Sequence, residues 1–231
     1  MERMMNRWFP TLMCSALFYC THAGAINVGA ITSIISPDQS VIAKEVINTV
    51  DDARLVSLKV ERISSPMEGG KVIPMESKQE IMATPSNLIL PGKGKDVFRV
   101  FYSGPKDDKE RYYRLIWNDN PVTEEGLSKT KKAASATTSA TISTIMVVTP
   151  RKDKFDYQYR DGVAYNTGNS SFRVVAFGPC KQPQTSDEKT KGCRERYYVM
   201  PGLGVHLKFV DINNQKLSVG IWHNEDYINV K

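Results

Sequence analysis

Apolar residues alternate with polar ones along most of this chain. Every second side chain is apolar in residues 56–60, 98–102 and 113–117. A period of two in short runs rich in β-branched and aromatic residues is typical of strands with one buried face. Turn signals containing Gly or Pro separate the runs, at 65–66, 68–70, 84–85, 91–92 and 103–105. No amphipathic helix of about 12 residues is evident, so the pattern predicts an all-β protein.

The same alternation continues, in shorter runs, to the end of the chain. Predicted strands cover 154–159, 172–177, 197–200, 205–210, 217–222 and 227–230. The segment 149–153 (TPRKD) breaks the pattern between the two halves. Closely spaced turns favour β-sandwiches over folds with crossover helices. We therefore predict two sandwich domains, residues 26–150 and 151–231, each of roughly 100 residues.

The first 25 residues have the features of a secretory signal peptide. Arg3 and Arg7 precede a mostly apolar stretch at 8–19, and Ala23-Gly24-Ala25 matches the small residues at a cleavage site. Cleavage is expected after Ala25. No later segment has the roughly 18 apolar residues needed to cross a bilayer. We expect export without stable membrane insertion.

Two of the four cysteines, Cys180 and Cys193, remain after this cleavage. They flank a polar stretch, 181–192, that has no core-forming pattern. Disulfides persist in exported proteins, and a bridge would restrain this loop. The alternative is a metal site, but two thiols without nearby histidines make a poor zinc site. A disulfide is favoured, and no metal is expected.

Nothing in the sequence indicates an active site. His206 and His223 lie singly in predicted strands, and motifs of hydrolases or nucleotide-binding enzymes are absent. The segment 92–95 (GKGK) lies in a Pro-Gly turn and lacks the strand and helix of a phosphate loop. The net charge of +6 is spread along the chain, whereas nucleic-acid binding calls for a basic stripe. We predict no catalytic residue, no cofactor and no nucleic-acid partner.

A long polar loop, 119–135, precedes the most unusual predicted strand, 136–148. One face of this strand mixes small and apolar side chains, and the other is hydroxylated at 135, 137, 139, 141 and 143. Loops of this length are uncommon in compact domains unless they have a use. The first face is expected to contact a partner and comprises Ala136, Thr138, Ala140, Ile142, Thr144 and Met146.

An ordered set of segments resembles the periplasmic chaperones of the Escherichia coli common pilus and, more distantly, those of class 5 fimbriae. The resemblance covers essentially the whole chain after residue 25. The segments that carry it are INVG at 26–29, RLVSLKVER at 54–62, PSNLILP at 85–91, YSGP at 102–105, KERYYR at 109–114, TIMVVTPR at 144–151, NTGN at 166–169, FGPC at 177–180 and YVMPG at 198–202.

The resemblance implies two immunoglobulin-like domains in a boomerang arrangement. It also implies binding to pilin subunits that lack one strand, donation of strand 136–148 to complete them, and delivery to an outer-membrane usher. An extended donor strand can satisfy both the apolar groove and the unpaired backbone of such a subunit. The alternative is an exported structural pilin or adhesin, which would need an N-terminal donor extension.

The sequence departs from the family pattern at the residues that hold the subunit's terminal carboxylate. The arginine and lysine that better-known relatives use align with Thr32 and Ile145, which cannot pair a carboxylate. We therefore expect the anchor among Arg54, Arg114 and Arg151, which lie on strands or at the bend between domains. The alternative is that each is an ordinary solvated arginine.

Overall fold

The computed structural model describes residues 26–122 and 138–231, and nearly every element in them is a strand. The expected leader 1–25, its cleavage after Ala25 and the donor-face residue Ala136 lie outside these ranges. In the described ranges, no helix has the length and apolar character needed to cross a membrane.

Two facing sheets form the first sandwich. The sheets have the strand orders β1-β3-β7-β5 and β2-β9-β8-β4-β6. The strands are β1 (Ile26–Asn27), β2 (Thr32–Ile35), β3 (Val41–Asn48), β4 (Arg54–Ile63), β5 (Ile81–Thr84), β6 (Asn87–Leu90), β7 (Lys95–Tyr102), β8 (Arg111–Pro121) and β9 (Ala140–Val148). The apolar positions predicted at 98–102 and 113–117 are buried in the core between the sheets. Phe98 and Trp117 meet edge to face there, with ring centroids 5.3 Å apart.

Two smaller sheets form the second sandwich. Their orders are β10-β11-β14 and β13-β12-β15-β16. The elements are β10 (Tyr157–Arg160), β11 (Val163–Asn166), β12 (Phe172–Gly178), α1 (Ser186–Lys191), β13 (Cys193–Val199), β14 (Gly204–His206), β15 (Ser218–His223) and β16 (Asp226–Asn229). Phe172, Val174 and Ile221 lie at the centre of its core. The prediction of two β-sandwiches is confirmed.

The second sandwich differs from the sequence prediction in two strands. Strand β11 was not predicted, although Asp161 and Gly162, with φ of 52° and 73°, form the turn of a β10–β11 hairpin. Asp-Gly is a strong hairpin signal because both residues tolerate positive φ. The strand predicted over 205–210 ends at His206. The N–H groups of residues 208–210 bond to the buried carboxylate of Glu195 instead of to a strand.

Residues 149–156 connect the two sandwiches. The expected boundary between residues 150 and 151 falls in this connection and stays a prediction. Across the junction, the Glu110 carboxylate accepts from the backbone N–H of Ser171 at 2.8 Å and from its Oγ at 2.7 Å. An apolar contact joins Tyr112 and Val147 of the first sandwich to Met200 of the second. Polar and apolar contacts together fix how the sandwiches meet.

Candidate functional site

One edge of strand β9 is open along its first half. The strand pairs with β8 over its whole length, but with β2 only from Ile145 to Val148. The Ile145 N–H donates to the Ile31 carbonyl at 2.8 Å. Because alternate N–H groups of a strand point the same way, those of Thr141 and Ser143 point to this same edge. Within the described ranges, no strand pairs with them there.

The side chains on β9 do not face as the sequence analysis expected. Thr144 and Met146 are buried in the core of the first sandwich, with exposures of 1% and 0%, and Ile142 packs against that core. In the free chain Thr144 and Met146 therefore have no exposed side chain to offer a partner, and the expectation that this face meets one stays a prediction. Thr138 is exposed and Ala140 is half-buried. The face that turns away from the core carries Thr141, Ser143, Ile145 and Val147.

The orientation could not be predicted because residues 145–148 are apolar at four successive positions. Alternation shows which face of a strand is buried only where the side chains of one face are polar. In this segment both faces are covered. Met146 and Val148 lie in the first core, while Val147 contacts Met200 of the second sandwich.

Arg54, one of the three expected anchors, is already paired. Its Nε donates to Asp119 Oδ1 at 2.6 Å and its Nη2 to Asp119 Oδ2 at 2.8 Å. Both side chains are buried, with exposures of 5% and 0%. Nη2 also donates to the Thr138 carbonyl at 2.8 Å. Arg54 therefore fastens the segment leading into β9 and is not available to a carboxylate from outside.

Arg151, the second expected anchor, holds the turn that follows β2. Its Nη1 donates to the backbone carbonyls of Ser36, Pro37 and Gln39. Its guanidinium also lies over the ring of Tyr102, 5.7 Å from the centroid. These contacts assign Arg151 to the junction between the sandwiches. A role as anchor would require it to release this turn.

Arg114 is half-buried and more accessible than Arg54. Its side chain is 34% exposed, and its nearest acidic group is Glu61, at 3.9 Å. Cross-strand pairing places Arg114 beside Ile145, and Ile145 beside Thr32. The two positions at which the chain departs from the family pattern are thus neighbours, with an arginine one strand away.

A cleft of about 400 Å³ separates the sandwiches. The first sandwich contributes apolar side chains from β2 and β9, including Ile34 and Val147. The second contributes Tyr198, Met200 and Trp222. Ile34 is 55% exposed and Tyr198 is 54% exposed. Such an apolar cleft beside an open strand edge can accept an extended peptide.

The polar floor of this cleft is a hydrogen-bonded cluster around Asp153. The carboxylate accepts from the Ser170 hydroxyl, lies 2.5 Å from His223 Nε2 and accepts from Asn224 Nδ2. Burial raises the pKa of the Asp153 carboxyl, but hydrogen bonds from Ser170 and His223 outweigh burial and leave the pKa lowered. Aspartate, not histidine, is the bridging group. The serine hydroxyl is therefore not activated as it is in a Ser-His-Asp triad.

Sequence reasoning missed Arg173, the one arginine that lines the cleft. Its Nε is buried and has no hydrogen-bond partner in the described part of the chain. The alternation along β12 could have placed Arg173 on the outer face of its sheet. The sequence could not show that this face turns toward the first sandwich, because that depends on how the two sandwiches meet.

Cys180 and Cys193 form a disulfide, with their Cα atoms 5.0 Å apart. This confirms the predicted pairing and leaves no thiolate for the alternative metal site. The loop between them contains the short helix α1, which the sequence analysis did not predict. Thr185 and Glu188 cap its N-terminus reciprocally.

Comparisons with known proteins agree on one class. Residues 155–230 match the family model described as the EcpB C-terminal domain. A probable fimbrial chaperone EcpB of Klebsiella pneumoniae (strain 342) is 42% identical over 209 residues, which cover 90% of this chain and 92% of that protein.

Two solved structures share the fold. The class 5 fimbriae chaperone CfaA is 14% identical and covers 88% of this chain and 97% of its own, with a TM-score of 0.57. A chain from the complex of the Salmonella enterica SafA pilin with the SafB chaperone is also 14% identical. It covers 87% of this chain and 91% of its own, with a TM-score of 0.52. The identity and coverage of the Klebsiella relative show that this chain belongs to the EcpB family of fimbrial chaperones.

Proposed function

We propose that this protein is a periplasmic, non-enzymatic chaperone that captures pilin subunits along the open edge of β9 and delivers them to an outer-membrane usher. The observation that carries the proposal is the edge itself. Backbone groups of Thr141 and Ser143 point outward where β2 no longer covers the strand. An incomplete subunit can pair with such an edge by β-augmentation.

Three further features support this function. The chain belongs to a family of fimbrial chaperones, and residues 1–25 have the pattern of an export signal. The cleft next to the edge is lined by exposed apolar side chains. Family membership favours a chaperone over the alternative of a structural pilin or adhesin.

The structure changes which side chains we expect at the interface. Met146 and Thr144 are buried in the chaperone's own core, so backbone pairing supplies most of the contact near β2. Thr138, Ala140 and Ile142 remain candidate contacts upstream, because they lie where the strand extends beyond β2. Of the three arginines expected to anchor the subunit, Arg114 fits best, because Arg54 is paired with Asp119 and Arg151 bonds to the turn after β2.

The test is a proline substitution that removes one outward N–H. Ser143→Pro deletes an N–H that makes no bond within the sheet, so the first sandwich should fold. Capture of the pilin subunit that co-purifies with wild type should fall about tenfold or more, because the substitution removes a main-chain hydrogen bond and places the proline ring at the interface. Capture is measured by co-purification from periplasm and by titration of the purified proteins.

Ile89→Pro is the matched control at the opposite edge of the same sheet. Leu58 donates to the Ser86 carbonyl, so by alternation the Ile89 N–H points away from β4. This variant should capture the subunit as wild type does. Equal capture by Ser143→Pro and wild type, with both variants folded, would rule out pairing at this edge.

A further inference from the structure

Arg173 presents a positive charge to the cleft and forms no ion pair with residues 26–122 or 138–231. It lies on the outer face of β12, where cross-strand pairing places it between Tyr198 and Trp222. Its guanidinium lies over the Trp222 ring, 5.9 Å from the centroid. Its Nε–H is buried and donates to no acceptor among the described residues. A buried charged donor left in this way is costly unless something else satisfies it.

The acidic groups that line the cleft do not supply this partner. Glu110 accepts two hydrogen bonds from Ser171 and one from the Tyr112 hydroxyl. Asp153 accepts from Ser170, His223 and Asn224. Each of these carboxylates is held by its own donors.

The surroundings of Arg173 favour a peptide carboxylate as the missing partner. An arginine guanidinium has donors in a planar fork that matches a carboxylate. Trp222 and Tyr198, which are 37% and 54% exposed, flank it with aromatic surface that can pack against the apolar part of a peptide. The cleft volume of about 400 Å³ is enough for only a few residues.

We propose that Arg173 binds a carboxylate of the subunit segment that enters the cleft. This inference rests on the proposed function, because the subunit supplies the peptide. The carboxylate is either the subunit's chain end or an Asp or Glu side chain near it. The second sandwich thus takes part in recognition, through a residue that lies on neither β2 nor β9.

The probe is a synthetic peptide of the last ten or so residues of the pilin that wild type captures, in three forms. One has a free C-terminus, one is C-terminally amidated, and one keeps the free end but has Asn or Gln in place of Asp or Glu. Binding to the mature chaperone is followed by the change in tryptophan fluorescence, to which Trp222 beside the site contributes, whereas Trp117 is buried in the first core. If the amidated peptide binds more weakly, the carboxylate that Arg173 binds is the chain end. If the peptide with Asn or Gln binds more weakly, that carboxylate belongs to an Asp or Glu side chain.

Arg173→Gln should weaken binding of the free-acid peptide by about tenfold or more, as expected for loss of one charged hydrogen-bonded contact. Arg173→Lys should keep only part of the wild-type affinity, because a lysine lacks the planar pair of donors that a guanidinium offers to a carboxylate. Arg196→Gln is the matched control, since Arg196 lies exposed on the same sheet, beside Val175. Circular dichroism and thermal unfolding confirm that each variant folds.

Three results would overturn the inference: wild-type binding by Arg173→Gln, equal binding of all three peptides, or a loss with Arg114→Gln and not with Arg173→Gln. The same conclusion follows if no peptide binds while the whole subunit is still captured. Failure of wild type to capture the whole subunit would instead reject the proposed function.

Discussion

Arg54 and Asp119 are both buried, and each supplies the charge that the other requires. The guanidinium meets the carboxylate with two bonds, of 2.6 and 2.8 Å. Removing one partner of such a pair leaves an uncompensated buried charge, which costs far more than loss of an exposed pair. The arginine expected to bind a subunit is therefore better explained as part of the scaffold that positions β9.

Arg54→Ala should lower the free energy of unfolding by about 3–5 kcal/mol, because Asp119 is left buried and unpaired. Lys59→Ala is the control, since its pair with Glu61 is exposed on the lysine side. That control should lose less than about 1 kcal/mol. Urea unfolding of the mature protein measures both. Similar losses in the two variants would contradict a structural role for Arg54.

A second buried charged side chain, Glu195, stabilises the irregular segment that follows β14. Its buried carboxylate accepts from the backbone N–H groups of Lys208, Phe209 and Val210. Burial raises the pKa of this carboxyl, but hydrogen bonds from the Tyr197 hydroxyl and these backbone groups outweigh burial and leave the pKa lowered. A carboxyl with a lowered pKa in the folded state stabilises the fold when it is ionised.

Glu195→Gln should therefore destabilise the protein at pH 7, by about 2 kcal/mol for the charged hydrogen bonds lost. The difference in the free energy of unfolding between the variant and wild type should be constant at pH values above the ordinary pKa of a glutamate. It should shrink as the pH falls through the lowered pKa, because the wild-type carboxyl then becomes protonated. Unfolding of both proteins from pH 7 down to pH 3 checks the sign. A difference that grows toward low pH would be inconsistent with it.

At the scale of single elements, the loop between β12 and β13 depends on a covalent link. Cys180 and Cys193 are separated by 13 positions. Helix α1 between them buries no residue, so packing against the core contributes little. The capping box orders the helix itself. The disulfide, the β-bridge between Cys180 and Val210 and the hydrogen bond from the Lys181 N–H to the Phe209 carbonyl hold the loop to the rest of the sandwich.

Replacing both cysteines with serine should cost about 3 kcal/mol of stability, since the unfolded chain regains the freedom of that loop. Subunit capture should be unchanged at temperatures where the variant is folded, because the loop does not line the cleft. Thermal unfolding with and without reductant is the measurement. Reduced wild type should behave like the variant, and an unchanged midpoint in both would contradict the prediction.

At the scale of the whole molecule, the relation between the sandwiches creates the cleft. Glu110 is the main polar contact across the junction, through its bonds to Ser171. Asn169 Nδ2 adds a bond to the Asp108 carbonyl at 3.0 Å. Because an open strand edge and Arg173 lie on different sandwiches, recognition of one peptide by both requires this junction to be firm.

Glu110→Ala should loosen the junction without unfolding either sandwich. Small-angle X-ray scattering should show a larger radius of gyration, and subunit binding should weaken by a few-fold because the cleft is no longer preorganised. Glu68→Ala, at an exposed turn of the first sandwich, is the control and should match wild type. Unchanged scattering and binding in Glu110→Ala would show that the apolar contact alone fixes the junction.

The sequence alone determined much of the architecture. Alternation placed Phe98 and Trp117 in the core because one face of each of those strands is apolar and the other is more polar. The two cysteines left after the leader, with a polar loop between them, were enough to predict the disulfide. The ordered family segments indicated the class of protein, and the comparisons confirmed it.

Only the tertiary structure decided which face of β9 turns inward and what each arginine does. The segment from Ile145 to Val148 is apolar on both faces, so alternation does not indicate which face turns toward the core. The pairing of Arg54 with Asp119 joins residues that are 65 positions apart, and the position of Arg173 in the cleft depends on two sandwiches meeting. Local pattern specifies which side chains a strand buries only where one face is polar, and long-range packing determines the rest, including what those side chains meet.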